Sequence, residues 1–262
     1  MTILKVVDLG ITFGGLRAVD GVSFSVSLGE VFSIIGPNGA GKTTLFNLVT
    51  GIYRPGRGTI MLAGENVTRL APHLLVRRGM ARTFQNLQIF FRMTALENVM
   101  VGNHLAERTS FLADLLSLPS VARQNRRTRT RALELLERVG LAHHAETTAG
   151  DLPYGVLKRL EIARALAADP KVLLLDEPAA GCNAVETEAI DRLIGQIAKD
   201  GVAVVLIEHD MKLVMKISDR VLVLAHGKRL AEGPPRQVRS DPAVIAAYLG
   251  EHGAREADRA HG

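Results

Sequence analysis

From Val22 to Ser27 apolar and hydroxyl side chains alternate strictly, Val22, Phe24 and Val26 against Ser23, Ser25 and Ser27, as in a strand with one buried face. Residues 3 to 35 carry further short runs rich in β-branched and apolar side chains, which predicts a small β region at the start of the chain. Val31-Phe32-Ser33-Ile34-Ile35 is apolar almost throughout and reads as a buried strand, and Thr44-Leu45-Phe46-Asn47-Leu48-Val49 reads as a helix. From about Ala95 to Leu141 the period becomes helical, with Leu133, Leu136 and Val139 three apart, which predicts a helical lobe. After Asp169-Pro170, the strand-like runs Val172-Leu173-Leu174-Leu175 and Val202-Ala203-Val204-Val205-Leu206-Ile207 flank a helical stretch from Glu186 to Lys199. That alternation predicts an α/β fold with a mostly parallel sheet covered by helices. Residues 251–262 are polar and charged without apolar period and read as a frayed C-terminal tail.

Composition narrows the class. A chain of 262 residues with 47% hydrophobic content buries a sizeable core as one large domain or a domain with an inserted lobe. No apolar run reaches bilayer-spanning length, and Met1 to Asp8 lacks the charged and apolar regions of a signal peptide, so the expectation is a chain that stays in the cytosol. Cys182 is the single cysteine, which excludes an internal disulfide and a cysteine metal cluster. The net charge of +5 does not choose among nucleic acid, anionic lipid and phosphorylated ligands.

Gly36-Pro37-Asn38-Gly39-Ala40-Gly41-Lys42-Thr43 sits between the predicted strand and helix at the spacing of a phosphate-cradling P-loop. The glycines let the backbone turn tightly so that several N–H groups face phosphate oxygens, and the helix N-terminus adds its positive dipole. In such a loop Lys42 reaches the β- and γ-phosphates. The Thr43 hydroxyl suits Mg²⁺, which keeps most of its waters and takes few protein ligands beside the phosphates.

The run Val172 to Leu175 delivers two carboxylates together, Asp176 and Glu177, at the strand end where ligands bind in such sheets. An isolated Asp-Glu pair reads as a turn capping the next helix. Behind a P-loop, Asp176 is placed to hold Mg²⁺ directly or through water, and Glu177 to polarise the water that attacks the γ-phosphate.

Leu152-Pro153-Tyr154-Gly155-Val156-Leu157-Lys158-Arg159-Leu160-Glu161-Ile162-Ala163-Arg164-Ala165-Leu166 precedes the acidic strand. Together with the P-loop, Gln85 after Arg82-Thr83-Phe84, Asp176-Glu177 and His209 after a strand, it resembles the signature and helix of the ATP-binding cassette (ABC) family. The motifs follow the family's order over nearly the whole chain. The resemblance implies a P-loop NTPase core with an antiparallel β subdomain and a helical subdomain, in one ATP-binding domain over residues 3–250 with the helical part inserted at about 90–168. It implies an ATPase with ATP and Mg²⁺ as its ligands. Phe13 matches the aromatic that stacks on adenine, and Gly36 to Thr43 with Thr44 match the nucleotide-holding loop. Gln85 matches the glutamine that senses Mg²⁺ and water and links the site to the membrane partner, and His209 the switch histidine at the γ-phosphate. Thr43, Gln85 and Asp176 are the metal-associated positions, and Glu177, His209 and Gln85 the catalytic ones.

In cassette proteins the signature of one subunit covers ATP held by the other. Here Pro153 replaces the usual serine, Tyr154 the first glycine and Val156 the glutamine, leaving Leu152 and Gly155. Pro153 offers neither hydroxyl nor N–H, so the contact of Pro153, Tyr154 and Gly155 with the trans nucleotide is expected to be weakened, with functional asymmetry against a related partner. Cys182 and Asn183 depart from the commoner leucine and aspartate of the seam loop.

Phe13-Gly14-Gly15-Leu16, Asp176 to Gly181, Ile207 to Met215 and Ala247-Tyr248-Leu249-Gly250 are similar to branched-chain amino acid importers, and the long helical segment between Asn98 and Gly140 to their larger ATP-binding subunit. The implied partners are two transmembrane permease subunits and a second, related cassette (heterodimer, or homodimer when isolated), with a periplasmic substrate-binding protein indirectly. The implied place is peripheral, at the cytoplasmic face of the inner membrane. Relatives for urea, short amides or other amino acids share similar cassettes, and the cargo stays open among these. A soluble non-transport cassette ATPase fits poorly, since such proteins usually carry two cassettes or coiled-coil insertions. A P-loop kinase leaves the signature helix, Gln85 and His209 unexplained. The run Arg123, Arg126, Arg127, Arg129 and Arg131 reads first as a solvated helix face and second as a contact to an anionic membrane surface. No aromatic interleaving supports nucleic acid there.

Overall fold

The computed structural model describes residues 1–104 and 119–248, with side chains through Asn103 and from Gln124. The sequence readings on Leu249-Gly250, the tail 251–262, the middle of the helical segment and the Arg123 side chain lie outside the described residues. Among the described residues ten strands form two sheets. β1 (Thr2–Phe13), β2 (Leu16–Ser27) and β3 (Val31–Ile35) come first, then β4 (Arg57–Leu62), β5 (Glu65–Asn66) and β6 (Met80–Arg82). β7 (Val172–Asp176), β8 (Ala203–Ile207), β9 (Arg220–Ala225) and β10 (Lys228–Gly233) follow. The helices among described residues are α1 (Lys42–Val49), α2 (Pro72–Arg77), α3 (Ala95–His104), α4 (Pro119–Arg138), α5 (Tyr154–Leu166), α6 (Ala184–Lys199), α7 (Met211–Ile217) and α8 (Pro235–Ser240), with residues 242–248 also helical.

The first sheet is antiparallel, in the order β2-β1-β4-β5. The alternation in β2 is realised, with Val22, Phe24 and Val26 buried and the three serines partly exposed. Phe24 stacks on Phe32 of β3 at 5.2 Å between centroids and nearly parallel, so ring packing joins this sheet to the other.

The second sheet runs β10-β9-β3-β8-β7-β6 and is parallel from β9 to β6. β3, β7 and β8 are buried at every residue, as strands covered on both faces must be. Alternate residues of one strand enter different cores. Leu173 and Leu175 meet Leu160, Ile190 and Ile194 on the side of α5 and α6, while Val172 and Leu174 join Phe46 and Leu45 of α1 on the side of the antiparallel sheet.

In α4 the buried face includes Ala132, Leu135 and Leu136, continued by Val139 just past its end, and Leu133 is 37% exposed. Of the predicted row, Leu136 and Val139 lie on the buried face and Leu133 stands one position off it. Each step of three falls about 60° short of a full turn, so such a row drifts around the helix. Arg129 and Arg131 form exposed ion pairs with Glu146 and Asp169, at 2.7 and 3.0 Å, and Arg126 and Arg127 face outward. α6 begins two residues before the predicted Glu186. Asn183 accepts from the Val185 and Glu186 N–H groups at 3.0 Å, and Glu186 accepts from the Asn183 N–H, a reciprocal capping box. Among the described residues no helix is long and apolar enough to cross a membrane.

Candidate functional site

Four parallel strands bring the predicted residues to one edge. Ile34 of β3 is level with Ile207 of β8, and Ile207 with Asp176 of β7. The loop Gly36–Gly41, the segment Glu208-His209 and the pair Asp176-Glu177 therefore leave adjacent strands at one height, and Gln85 follows β6 beside them. This is the C-terminal edge of the sheet, where ligands bind in open α/β folds.

The loop after β3 turns tightly into α1. Gly41 has φ 98°, and a Cβ there would stand 2.4 Å from the Ala18 carbonyl oxygen, so only glycine fits. Ala40 is buried, and the Lys42 ammonium donates to the Gly36 and Pro37 carbonyls at 2.6 and 3.0 Å, which holds its charge against the loop. Pro37, Asn38 and Gly39 form the loop's crest, and Thr43 and Thr44 stand in the first turn of α1, whose N-terminal dipole favours an anion.

Glu177 has φ 49°, a left-handed conformation unusual for a carboxylic side chain, and its N–H donates to the Ile207 carbonyl at 3.0 Å. Its carboxylate accepts from Gln85 Nε2 at 3.1 Å and lies 3.7 Å from His209 Nδ1. The three predicted catalytic residues are thus one cluster. Glu208, buried beneath His209, accepts from the His209 and Ala179 N–H groups at 3.2 and 3.4 Å, and burial raises its carboxyl pKa against the pull of those bonds.

Asp176 is buried, and burial raises its carboxyl while the Arg82 guanidinium 3.1 Å away pulls it down. Arg82 also donates to Asn47 Oδ1 and Thr50 Oγ1 of the α1 segment at 2.7 and 2.8 Å. The sequence reading passed over Arg82 as a flanking residue. Asp176 and Thr43 are hard oxygen donors, and among the described residues no group of three or more His, Cys, Asp or Glu gathers to hold an ion. Such a sparse oxygen set fits a Mg²⁺ that takes its other ligands from water and phosphate.

Phe13, at the end of β1, is 45% exposed and so is not a core residue of its strand. Its ring meets Tyr53 edge to face at 5.4 Å, an aromatic partner the sequence reading did not single out. The start of α5 lies against the loop 179–183. Pro153 is the N-cap residue of α5, one position before the helical start its ring suits, and makes no side-chain cap bond. Tyr154 packs against Gly181, where a Cβ would come to 3.0 Å of its ring, and a Cβ on Gly155 would fall 2.3 Å from Glu186 Cδ. Gly155 is thereby fixed by the capping box of α6.

A family model described as ABC transporter matches residues 19–180, and one described as Branched-chain amino acid ATP-binding cassette transporter matches residues 228–254. The high-affinity branched-chain amino acid transport ATP-binding protein BraF of Pseudomonas aeruginosa is 49% identical over 250 residues, 95% of this chain and 98% of that one. The corresponding protein LivG of Escherichia coli K12 is 46% identical with the same coverage. A crystal structure of the ADP conformation of an ATP-binding cassette from an ABC transporter has a TM-score of 0.83 and 33% identity, covering 95% of this chain and 99% of that one. The chain belongs to the ABC transporter family, as one of its ATP-hydrolysing cassette subunits.

Proposed function

We propose that the chain energises an importer of branched-chain amino acids from the cytoplasmic face of the membrane, with two permease subunits and a second cassette as partners. The observation that carries the ATPase assignment to particular residues is the Gln85–Glu177–His209 cluster level with the P-loop. The cargo rests on the likeness to BraF and LivG, whose names specify it. The reading treats residues 3–250 as one ATP-binding domain with its helical part at about 90–168.

Lys42, the loop N–H groups and the α1 dipole bind the phosphates, and Phe13 offers its face to the adenine. Thr43, Asp176 and Gln85 would hold Mg²⁺, which would supply neutralisation of phosphate charge. Glu177 accepts the proton of the attacking water, while Gln85 and His209 orient the water and the γ-phosphate. Pro153, Tyr154 and Gly155 face the nucleotide of the partner cassette, so ATP draws the two subunits together and loss of the γ-phosphate releases them. An open groove of about 620 Å³ beside Gln85, walled by Phe84, Leu87, Ile89 and Phe90, is where a permease segment would feel the movement of that loop.

The test is Glu177→Gln. The variant should retain ATP and stop phosphate release, and the wild-type chain should co-purify with two polytopic membrane proteins and a second cassette. Wild-type hydrolysis by Glu177→Gln would remove the base assignment, and stable association with nucleic acid instead would remove the transport reading.

A further inference from the structure

α5 turns two buried charged side chains inward one turn apart, Lys158 and Glu161. Both are directed at the backbone of other segments. The Lys158 ammonium, in a residue 2% exposed, lies 3.4 Å from the Gln85 carbonyl oxygen and 3.5 Å from that of Glu177. Glu161 Oε1 accepts from the Phe84 and Gln88 N–H groups, each at 3.4 Å. One helix therefore grips the Gln85 loop at three points and the backbone of Glu177 at a fourth.

The two carbonyl oxygens converge on one buried point, where their negative ends repel unless a cation lies between them. Glu177 is also the residue held at φ 49°, so its peptide relaxes if the anchor is removed. At the other end of the contact, Lys158 Nζ is 5.7 Å from the centroid of the Tyr154 ring, within cation–π range. The path from signature to carboxylate is thus contiguous: Tyr154, Lys158, then the Gln85 and Glu177 backbones.

We propose that Lys158, braced by Glu161, is a positioning residue that ties the placement of Glu177 and Gln85 to the stance of the signature helix, so that engagement of the partner's nucleotide by α5 gates hydrolysis at this subunit's own site. The inference rests on the reading of Glu177 as the base and of the signature as acting in trans.

The experiment uses the full chain assembled with its transporter partners and compares Lys158→Met, which keeps length without charge, with Lys158→Arg, which keeps the donors. Lys158→Met should lower kcat for ATP hydrolysis by about tenfold, the scale of a lost charge-assisted hydrogen bond, and leave the ATP KM within about twofold. Lys158→Arg should restore most of the rate. In a Glu177→Gln background, where hydrolysis is already stopped, Lys158→Met should leave ATP retention unchanged, because Lys158 acts on the placement of the base and not on nucleotide binding. Lys158→Gln, which removes the charge but keeps a neutral donor, should give a rate between the two if the methionine variant assembles poorly. Unchanged kcat, a loss confined to KM, or loss of bound ATP when Lys158→Met is added to Glu177→Gln would each overturn the proposal. An inactive Glu177→Gln with a fully active Lys158→Met overturns this inference alone, whereas a fully active Glu177→Gln overturns the base assignment and this inference with it.

Discussion

Arg82 Nη2 stands 3.1 Å from Asp176 Oδ2, and both side chains are at least nine-tenths buried. The same guanidinium reaches Asn47 and Thr50, so one side chain ties β6 to the strand end that carries the acidic pair and to the helix that follows the P-loop. The planar fork of arginine supplies several donors in fixed directions, which a lysine does not. The relation makes Asp176 both a site residue and a structural one.

Removing Arg82 leaves a buried carboxylate without its cation. Arg82→Met should destabilise the fold by about 3–5 kcal/mol in chemical denaturation. Arg82→Lys should recover part of that, and Arg82→Met with Asp176→Asn should recover more, because no charge is then stranded. A double variant as unstable as Arg82→Met alone would show that the pair is not what Arg82 contributes.

The exposed ring of Phe13 predicts a binding effect with little effect on turnover. Phe13→Ala should raise the ATP dissociation constant by about five- to a hundredfold, the range of base–aromatic stacking, with kcat held. Tyr53→Ala should cost less, since its ring only braces Phe13 edge to face, an interaction worth about 0.5–1.5 kcal/mol. Nucleotide titration of the two variants checks the order, and equal affinities for Phe13→Ala and wild type would place the base elsewhere.

What the sequence revealed follows from distance along the chain. Gly36 to Thr43 and Asp176-Glu177 are contiguous, and their strand-to-loop geometry is local, so both stand where the pattern places them. Arg82–Asp176 joins residues 94 apart, and Lys158 reaches Gln85 across 73. Neither partnership leaves a periodic signal. A helical period does show which turns of α5 face inward, and Lys158 and Glu161 on that face were the available clue. β4 and β5 were also missed, because they join the antiparallel sheet only after the chain has passed through β3 and α1.

Asp191 of α6 predicts a pH dependence. Its Oδ2 lies 3.3 Å from Lys216 Nζ of α7, and its Oδ1 is buried with no hydrogen-bond partner among the described residues. Burial raises its carboxyl above the ordinary 3.8, Lys216 opposes the rise, and Asp210 and Glu188 reinforce it. A raised folded-state value means the native chain holds this proton more tightly than the unfolded one. The resulting stability is present in full below 3.8 and is lost as pH rises through the raised value. Asp191→Asn removes that loss, so its stability relative to wild type should increase from pH 4 to pH 7. Urea unfolding at both pH values checks the sign, and a relative decrease would contradict the burial argument.

Pro153→Ser separates two effects that meet at one residue. Pro153 occupies the N-cap position of α5 and makes no cap bond, while serine at an N-cap accepts from the N–H groups of the first turn. In the isolated chain the substitution should therefore stabilise the fold by about 1 kcal/mol. In the assembled pair the same hydroxyl can instead donate to the γ-phosphate held by the partner, a charge-assisted bond worth about 1.5–3 kcal/mol. The two uses draw on different parts of the hydroxyl, its lone pair for the cap and its proton for the phosphate, so they need not compete. Closed-dimer formation with ATP should then tighten by about ten- to a hundredfold, read as a lower ATP concentration for half-maximal dimerisation in a hydrolysis-deficient background. A gain in melting temperature without a gain in dimerisation would mean that the proline changes only the start of the helix and that the weakened trans contact is not the source of asymmetry.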